Sequence, residues 1–493
     1  MLSLTTGHIL DSWARLTPER IAVIDAATDT AWSYRDLAHA CDRTAARLHD
    51  LGVKSGDVIA YVSDERLNTV ALWYALGKIG ASWCPLNPRA TVDDWIRQIT
   101  HAEASLVIYS ETFEPSVKRL PVRSVDLGHA PRDAADPVSW PVTAHWPDRA
   151  GILYTSGTTG SPKGAWHSHR SLWGWNTSVL CSLGIGGSDR FLNPYPLYHM
   201  GGIGFTLAAI QAGATTVLAT PFDAQATIEY VPRYDITVTI MVPTMVQALL
   251  EQPSPDRQTL LNGHWRHLVT TSAPLLEDTR QGIRREWPTV RLSVLYSATE
   301  AVFTVASDHH GTSSLTVGRP AFGMDIRIRT EDGRPAAPGQ AGTIYTRGIS
   351  LFEGYHRAPD QFHAIDGGWL TCFDTGYLTA DGDLVLVDRA ADLINSGGEK
   401  ISSLEIENIL LSHPAIKEAG VVGLPDPYWG ERIHAVIVPR VPDLHESDLY
   451  PYLTQHLPRY KWPKSWAFVP ELPKTGSGKI LKRALRQENP RGR

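Results

Sequence analysis

Apolar residues return every third or fourth position from Tyr34 to Leu48, so Ser33–Leu51 predicts an amphipathic helix stopped by Gly52. The period then changes. Val58–Val62 is a short apolar run, a strand; Thr69–Ile79 is helical; a small-residue turn leads into a second strand, Ala81–Leu86. That β-α-β alternation predicts a mostly parallel sheet with helices on its faces. It resumes at Thr215–Val217, Ile236–Met241 and Leu292–Leu295. Met200–Thr220 carries no formal charge and invites a membrane reading, but Gln211 and the Ala212-Gly213-Ala214 break favour a buried helix followed by a core strand. Residues 111–149, with six prolines, many charges and weak periodicity, are expected to be surface loops and short strands joining two lobes. Gly318–Val387 is rich in Gly, Asp and short β runs, as a small barrel or meander is. After Arg389 the grain changes. Ser402-Ser403-Leu404-Glu405 reads as a capping box opening a helix to about Leu411. Val421–Val422 and His434–Pro439 are strands, and Leu449–Gln455 is helical. The fold class is α/β: a large N-terminal domain of α/β sheets with a small β-barrel-like part, then a smaller α+β C-terminal domain.

At 493 residues the chain is long for one core, which agrees with two or more domains. A net charge of −6 gives no reason to expect nucleic acid or an anionic membrane as partner. The four cysteines (Cys41, Cys84, Cys181, Cys372) form no CxxC pair. That suits a reducing cytoplasm and speaks against a disulfide framework or a zinc site. The opening MLSLTTGHILDSWARLTPER lacks the basic-then-apolar profile of a signal peptide, so a cytoplasmic location is expected.

Chemistry concentrates in one string, Tyr154 to Gly164, YTSGTTGSPKG, directly after the apolar Ile152–Tyr154. Glycines let backbone N–H groups approach anionic oxygens closely. Hydroxyls add donors, and Lys163 adds a point charge. The loop suits polyphosphate, yet it lacks the GK[ST] ending of a Walker A loop. No G-x-S-x-G elbow supports hydrolase chemistry. His167 and His169 are too close for an HExxH zinc site and read as polar residues on a strand or at a helix start.

The full string resembles the phosphate-binding signature of the adenylate-forming superfamily, which includes acyl-CoA synthetases, luciferases and peptide-synthetase adenylation domains. The resemblance runs from about Trp32 to Arg486. It implies phosphate contacts from Thr155, Ser156, Gly157, Thr158, Thr159, Gly160 and Lys163. Tyr296-Ser297-Ala298-Thr299-Glu300 resembles the aromatic-Gly-x-Thr-Glu motif, with Ser297 in place of glycine. There Tyr296 is expected to stack on adenine, Thr299 to touch the α-phosphate and Glu300 to hold Mg²⁺, which takes its other ligands from water and phosphate. Asp374 falls on the aspartate that accepts from both ribose hydroxyls, although Cys372-Phe373-Asp374 replaces Thr-Gly-Asp, and Arg389 on an arginine that also contacts the ribose. Pro473-Lys474-Thr475-Gly476-Ser477-Gly478-Lys479 resembles the C-terminal motif whose second lysine, here Lys479, stabilises the adenylation transition state.

The same resemblance implies a domain over residues 1–389, the AMP-binding adenylation domain, and a mobile domain over 390–493 that carries the catalytic lysine. Its hinge position is Ala391, where relatives carry Asp or Lys; a small residue can still absorb a φ/ψ change. Ser396-Gly397-Gly398-Glu399-Lys400 resembles the stretch that lines a pantetheine tunnel in the second pose, which assigns Gly397, Gly398 and Lys400 to the thiol path. Tyr198-His199-Met200-Gly201-Gly202 resembles the flank of the acyl pocket and puts His199 and Gly201 there. Thr270-Thr271-Ser272-Ala273-Pro274 stands for Ser-Gly-Gly-Ala-Pro, so Thr271 narrows the acyl pocket while Ser272, Ala273 and Pro274 lie beside adenine. No aspartate near this region fits an α-ammonium, which argues against α-amino acids.

The implied reaction is ATP- and Mg²⁺-dependent activation of a small, aromatic or polar carboxylate through an acyl-adenylate, followed by transfer to a thiol, most simply CoA. Three alternatives stay open: a ligase that loads a carrier protein or activates an atypical oxyacid, a nucleotide-binding relative with lost catalysis, and an unrelated α/β enzyme. Oligomeric state is left open.

Overall fold

A computed structural model describes residues 4–126, 139–155, 163–260, 264–273, 275, 277–307, 316–358, 364–365, 367–389, 392–396, 399–474 and 480–487. Among these, strands gather into sheets of fourteen, seven and five. The largest sheet has a parallel part in the order Ile21–Asp25, Thr215–Leu218, Arg190–Asn193, Val238–Met241, His267–Thr271, Arg291–Ser297. From Arg291–Ser297 it continues antiparallel through Val302–Ser307, Thr316–Pro320, Leu384–Arg389, Trp369–Leu378, Gly342–Gly348 and Met324–Arg329. The Gly- and Asp-rich stretch is thus a meander joined edge to edge to the parallel part.

The seven-stranded sheet holds the predicted β-α-β unit, with Val58–Val62 parallel to Ser82–Pro85, and the hairpin Arg149–Thr155/Lys163–Ser168. The proline-rich segment departs from expectation. It leaves Leu106–Tyr109, adds the edge strand Ser124–Asp126 to the same sheet, and comes back as Arg149–Thr155. It is a connection within one sheet and joins no lobes; residues 127–138 lie outside the described set.

Four helices lie between the two sheets: Tyr34–Asp50, Arg66–Ile79, His169–Leu183 and Met200–Gln211. One buried cluster joins Leu37, Trp73, Trp175 and Phe205 on those helices to Ile59 and Leu153 on the smaller sheet and to Val23, Phe191 and Val269 on the larger. Ser33 starts the first helix as expected. Its Oγ accepts from the Asp36 N–H at 3.1 Å while Asp36 Oδ2 accepts from the Ser33 N–H at 2.9 Å, so two orphan donors are satisfied reciprocally. Met200–Gln211 is buried nearly all round, which explains its lack of polar stripe. Among the described residues no helix is long and apolar enough to cross a membrane.

The third sheet has its own core, Ile406, Val421, Ile433 and Leu453 among others. Its hairpin Ile416–Asp426/Gly430–Pro439 is flanked by helices Ser403–Leu411 and Glu446–His456. Ser402 caps the first of these, accepting from the Glu405 N–H at 3.1 Å. The expected return bond is not what Glu405 makes: its carboxylate takes Lys461 Nζ at 2.7 Å. A buried-side lysine is a stronger partner than a backbone N–H. Asp388, near the end of the large sheet's Leu384–Arg389, accepts from the Ser403 N–H and Oγ at 2.6 Å each, an anion at a helix N-terminus.

Among the described residues three histidines are wholly buried. Burial pushes His167 and His169 down to about 4 and, with Arg291 and Arg266 nearby, His267 down to about 3. In the unfolded chain each titrates near 6.5. As pH falls through that value the unfolded state takes up protons that the folded state refuses, so stability is full above it and declines down to the folded pKa, by up to roughly 1.4 kcal/mol per pH unit per histidine. Urea denaturation is therefore expected to shift to lower midpoints between pH 7 and 5, with a shallower dependence in His267→Gln. A pH-independent midpoint in the parent contradicts this.

Candidate active site

The phosphate-loop string begins and ends on paired strands. Thr155 closes Arg149–Thr155, Lys163 opens Lys163–Ser168, and the two residues are register partners. Ser156, Gly157, Thr158, Thr159 and Gly160 lie outside the described residues, as does the side chain of Thr155. Lys163 Nζ sits over the Tyr355 ring, 5.3 Å from its centroid. Tyr355 donates its hydroxyl to Glu300 Oε1 at 2.7 Å. The phosphate-loop lysine and the expected metal-binding carboxylate therefore meet on one tyrosine that sequence reasoning did not single out.

Thr299 and Glu300 occupy the turn between Arg291–Ser297 and Val302–Ser307. Ala298 N–H donates across it to the Ala301 carbonyl at 2.9 Å, and Phe352 N–H to the Glu300 carbonyl at 2.8 Å. Glu300 is buried. Among the described residues no group of three or more His, Cys, Asp or Glu could hold a metal. A carboxylate joined through Tyr355 to Lys163 fits Mg²⁺ bound with a nucleotide, because that ion keeps water and phosphate oxygens as its other ligands.

Tyr296, one strand end away, donates its hydroxyl to Asp374 and packs its ring 4.7 Å from Phe303. The residue expected to stack on adenine and the residue expected to hold ribose are thus in direct contact. Asp374 is buried and pairs in register with Arg389, whose side chain lies outside the described residues, as do those of Cys372 and Phe373.

Thr271 ends its strand fully buried, its Oγ1 3.3 Å from Ser297 Oγ. Two of the three hydroxyl residues that replace glycines therefore face each other. Ser272 follows in a left-handed conformation, φ +77°, where glycine is the unstrained choice. Ala273 is exposed and Pro274 lies outside the described residues. His199 precedes the helix Met200–Gln211, its ring 4.4 Å from that of Tyr198. Gly201 is required by close approach: a Cβ there would sit 2.8 Å from the Tyr195 ring.

Lys479, Ala391, Gly397 and Gly398 lie outside the described residues, and so does the side chain of Lys400, whose backbone pairs with Asn395. The flanks of Lys479 are held: Lys474 bridges Ile480, and Lys474 Nζ pairs with Glu418 at 2.8 Å. Lys474 also lines a cavity of about 540 Å³ together with Arg66, Arg89, Tyr198 and Met245.

Two family models match the chain: AMP-binding enzyme over residues 10–356, and AMP-binding enzyme C-terminal domain over residues 405–479. The chain belongs to the AMP-binding enzyme family. It is 33% identical to the 2-succinylbenzoate–CoA ligase of Bacillus licheniformis, over 96% of this chain and 98% of that protein. It is also 33% identical to a feruloyl-CoA synthase of an Amycolatopsis species, over 97% and 98%. Its fold matches o-succinylbenzoate CoA synthetase from Bacillus subtilis, solved with the acyl-adenylate OSB-AMP, at a TM-score of 0.89 and 28% identity, over 100% of this chain and 99% of that one. The same synthetase has been solved with ATP and a magnesium ion. The chain is thus an adenylate-forming ligase, and the reading as an unrelated α/β enzyme falls away.

Proposed function

We propose that this chain activates a small aromatic or polar carboxylic acid with ATP and passes the acyl group to the thiol of CoA. The observation that carries the reading is the contact of Lys163 and Glu300 on Tyr355, which joins a phosphate loop to a magnesium carboxylate. A carboxylate oxygen attacks the α-phosphorus of ATP; the new O–P bond forms as pyrophosphate leaves. The CoA thiol then attacks the acyl carbon, its proton is lost to solvent, and AMP departs.

The charge that gathers at phosphorus in the first step needs positioned cations and donors rather than a base. Lys163 and the loop hydroxyls hold the phosphates, Thr299 contacts the α-phosphate, and Lys479 approaches the reacting oxygens. Tyr296 stacks on adenine; Asp374 and Arg389 hold the ribose. Glu300 would hold Mg²⁺, which supplies charge neutralisation between phosphate oxygens. Thr271 and Ser297 bring two hydroxyls to the acyl side of the nucleotide, which favours a compact acid over a long chain. The similarity to ligases of 2-succinylbenzoate and ferulate supports an aromatic acid.

CoA is favoured over a carrier protein by the similarity to ligases named for CoA. The boundary at 389–390 and rotation about Ala391 complete the reading. The ion pair Arg440–Glu251 at 3.6 Å crosses that boundary between half-exposed side chains and contributes only about 0–1 kcal/mol, so the stronger tie across it is the buried pair of bonds from Ser403 to Asp388 beside the hinge.

The test is ATP–pyrophosphate exchange across benzoates, cinnamates and fatty acids, followed by thioester formation with CoA. Exchange is expected with aromatic acids and thioester only when CoA is added. Exchange confined to long-chain acids, or none with any acid, overturns the reading.

A further inference from the structure

The turn Ala298–Ala301 carries Thr299 and Glu300 and has a single backbone bond across it, Ala298 N–H to Ala301 O. Its conformation therefore depends on what ties it from outside. Three ties are present. Phe352 N–H holds the Glu300 carbonyl, Tyr355 holds the Glu300 carboxylate, and His167 Nε2 lies 2.8 Å from the Thr299 carbonyl oxygen. The first two come from the segment that pairs with Lys163–Ser168, where Gly354 and Tyr355 are partners of Trp166 and Ala165. The third comes from Lys163–Ser168 itself, the strand that leaves the phosphate loop.

A carbonyl can only accept, so His167 carries a hydrogen on Nε2; burial keeps the ring neutral, and its bare Nδ1 lies 3.1 Å from Ser171 Oγ, whose single hydrogen is shared between Nδ1 and the Ser168 carbonyl. Ser171 Oγ is in turn 3.2 Å from the Ser168 carbonyl. The ring is wholly buried against Phe352, centroids 6.3 Å apart. Charged neighbours are sparse: Glu353 on the adjoining segment, itself held by Ser168 and Arg170. Nothing in that setting calls for an imidazole to fill space; an apolar side chain would do so without a polar cost. What the imidazole adds is a rigid donor aimed at one carbonyl.

We propose that His167 is a positioning residue for adenylation: by holding the Thr299 carbonyl it sets the 299–300 peptide, and with it the Thr299 hydroxyl and the Glu300 carboxylate, in register with the phosphate loop. The inference rests on the proposed roles of Thr299 and Glu300. Losing the tie lets the turn shift, and a displacement of about 1 Å at such a site can cost about 10²-fold in rate.

The experiment compares His167→Leu, which removes the donor, with His167→Gln, whose amide nitrogen can reach the same carbonyl. His167→Leu is expected to lower kcat for pyrophosphate exchange by about 10- to 100-fold and to raise the half-saturating Mg²⁺ concentration by about tenfold, with little change in the KM of the acid. His167→Gln is expected within about threefold of the parent in both. Calorimetric ATP binding with and without Mg²⁺ needs no acid: His167→Leu should lose the gain in ATP affinity that Mg²⁺ brings to the parent, and His167→Gln should keep it. A parent that exchanges with no acid defeats the functional reading, while the calorimetry still decides this one.

If His167→Leu does not fold, ¹⁵N-histidine spectra of the parent take its place. A protected Nε2–H that shifts on addition of Mg·ATP is expected. An Nδ1–H tautomer, a Leu variant with parental kcat and Mg²⁺ dependence, or a Gln variant as impaired as Leu each overturns the proposal.

Discussion

Lys479→Ala is expected to lower ATP–pyrophosphate exchange by about 10²–10³ while ATP affinity changes little. Attack of a carboxylate on an α-phosphate brings two anions together, and the cost is felt at the moment charge builds on the transferring oxygens. A cation that reaches those oxygens only then lowers the barrier without tightening the ground state, so the loss appears in kcat rather than in nucleotide binding. The backbone on either side of Lys479 is fixed. Lys474 and Ile480 form a backbone bridge, and Leu481 N–H donates to the Pro473 carbonyl at 2.8 Å. Preformed acyl-AMP should still give thioester in the variant. Near-parental exchange, or ATP affinity lost in proportion to rate, removes Lys479 from the transition state.

Lys78→Met is expected to destabilise the N-terminal part by about 3–5 kcal/mol. Lys78 is wholly buried in the last turn of Arg66–Ile79. Its Nζ lies 2.6 Å from Asp11 and 2.6 Å from Asp42, so three helices meet on one ammonium. Burial alone would push its pKa down; the neighbouring Cys41 thiol and the two aspartates more than restore it. Removing the ammonium strands Asp42, which burial already pushes above the usual carboxylate range, without a counter-charge. Methionine fills the volume, so the loss reports charge rather than cavity. Two controls separate these terms. Asp42→Asn in the Lys78→Met background should recover part of the stability, and the deficit of Lys78→Met should narrow as pH is lowered, because a proton neutralises the stranded carboxylate. A urea midpoint equal to the parent's, or a deficit that deepens in acid, contradicts the account.

Much of the fold is legible because local chemistry and tertiary structure agree. Ser33, Gly52 and the spacing between them delimit a helix, since capping and the left-handed stop act within a few residues. The Tyr154–Gly164 string stands out for the same reason, because the phosphate contacts proposed for it come from the composition of one short segment. Asp374 and Tyr296 each match a motif, but their contact with each other depends on two strands far apart in the chain being brought into one sheet. The paired Ser402 and Glu405 predict a reciprocal box, and half of it forms, because Lys461 arrives from elsewhere as a better partner for the acid.

By itself the sequence determined the alternating α/β architecture, the separate character of the chain after Arg389, and the membership that its ordered motifs carry. These follow from periodicity and short-range chemistry, which are properties of neighbouring residues. Only the tertiary structure decided that Lys78 is interior, that the proline-rich segment stays within one sheet, and that His167 and Tyr355 converge on Thr299 and Glu300. A lysine in a helix's last turn and a histidine on a strand look alike whether solvent or protein surrounds them. What surrounds them is set by segments distant along the chain, and that distance leaves no trace in the local pattern.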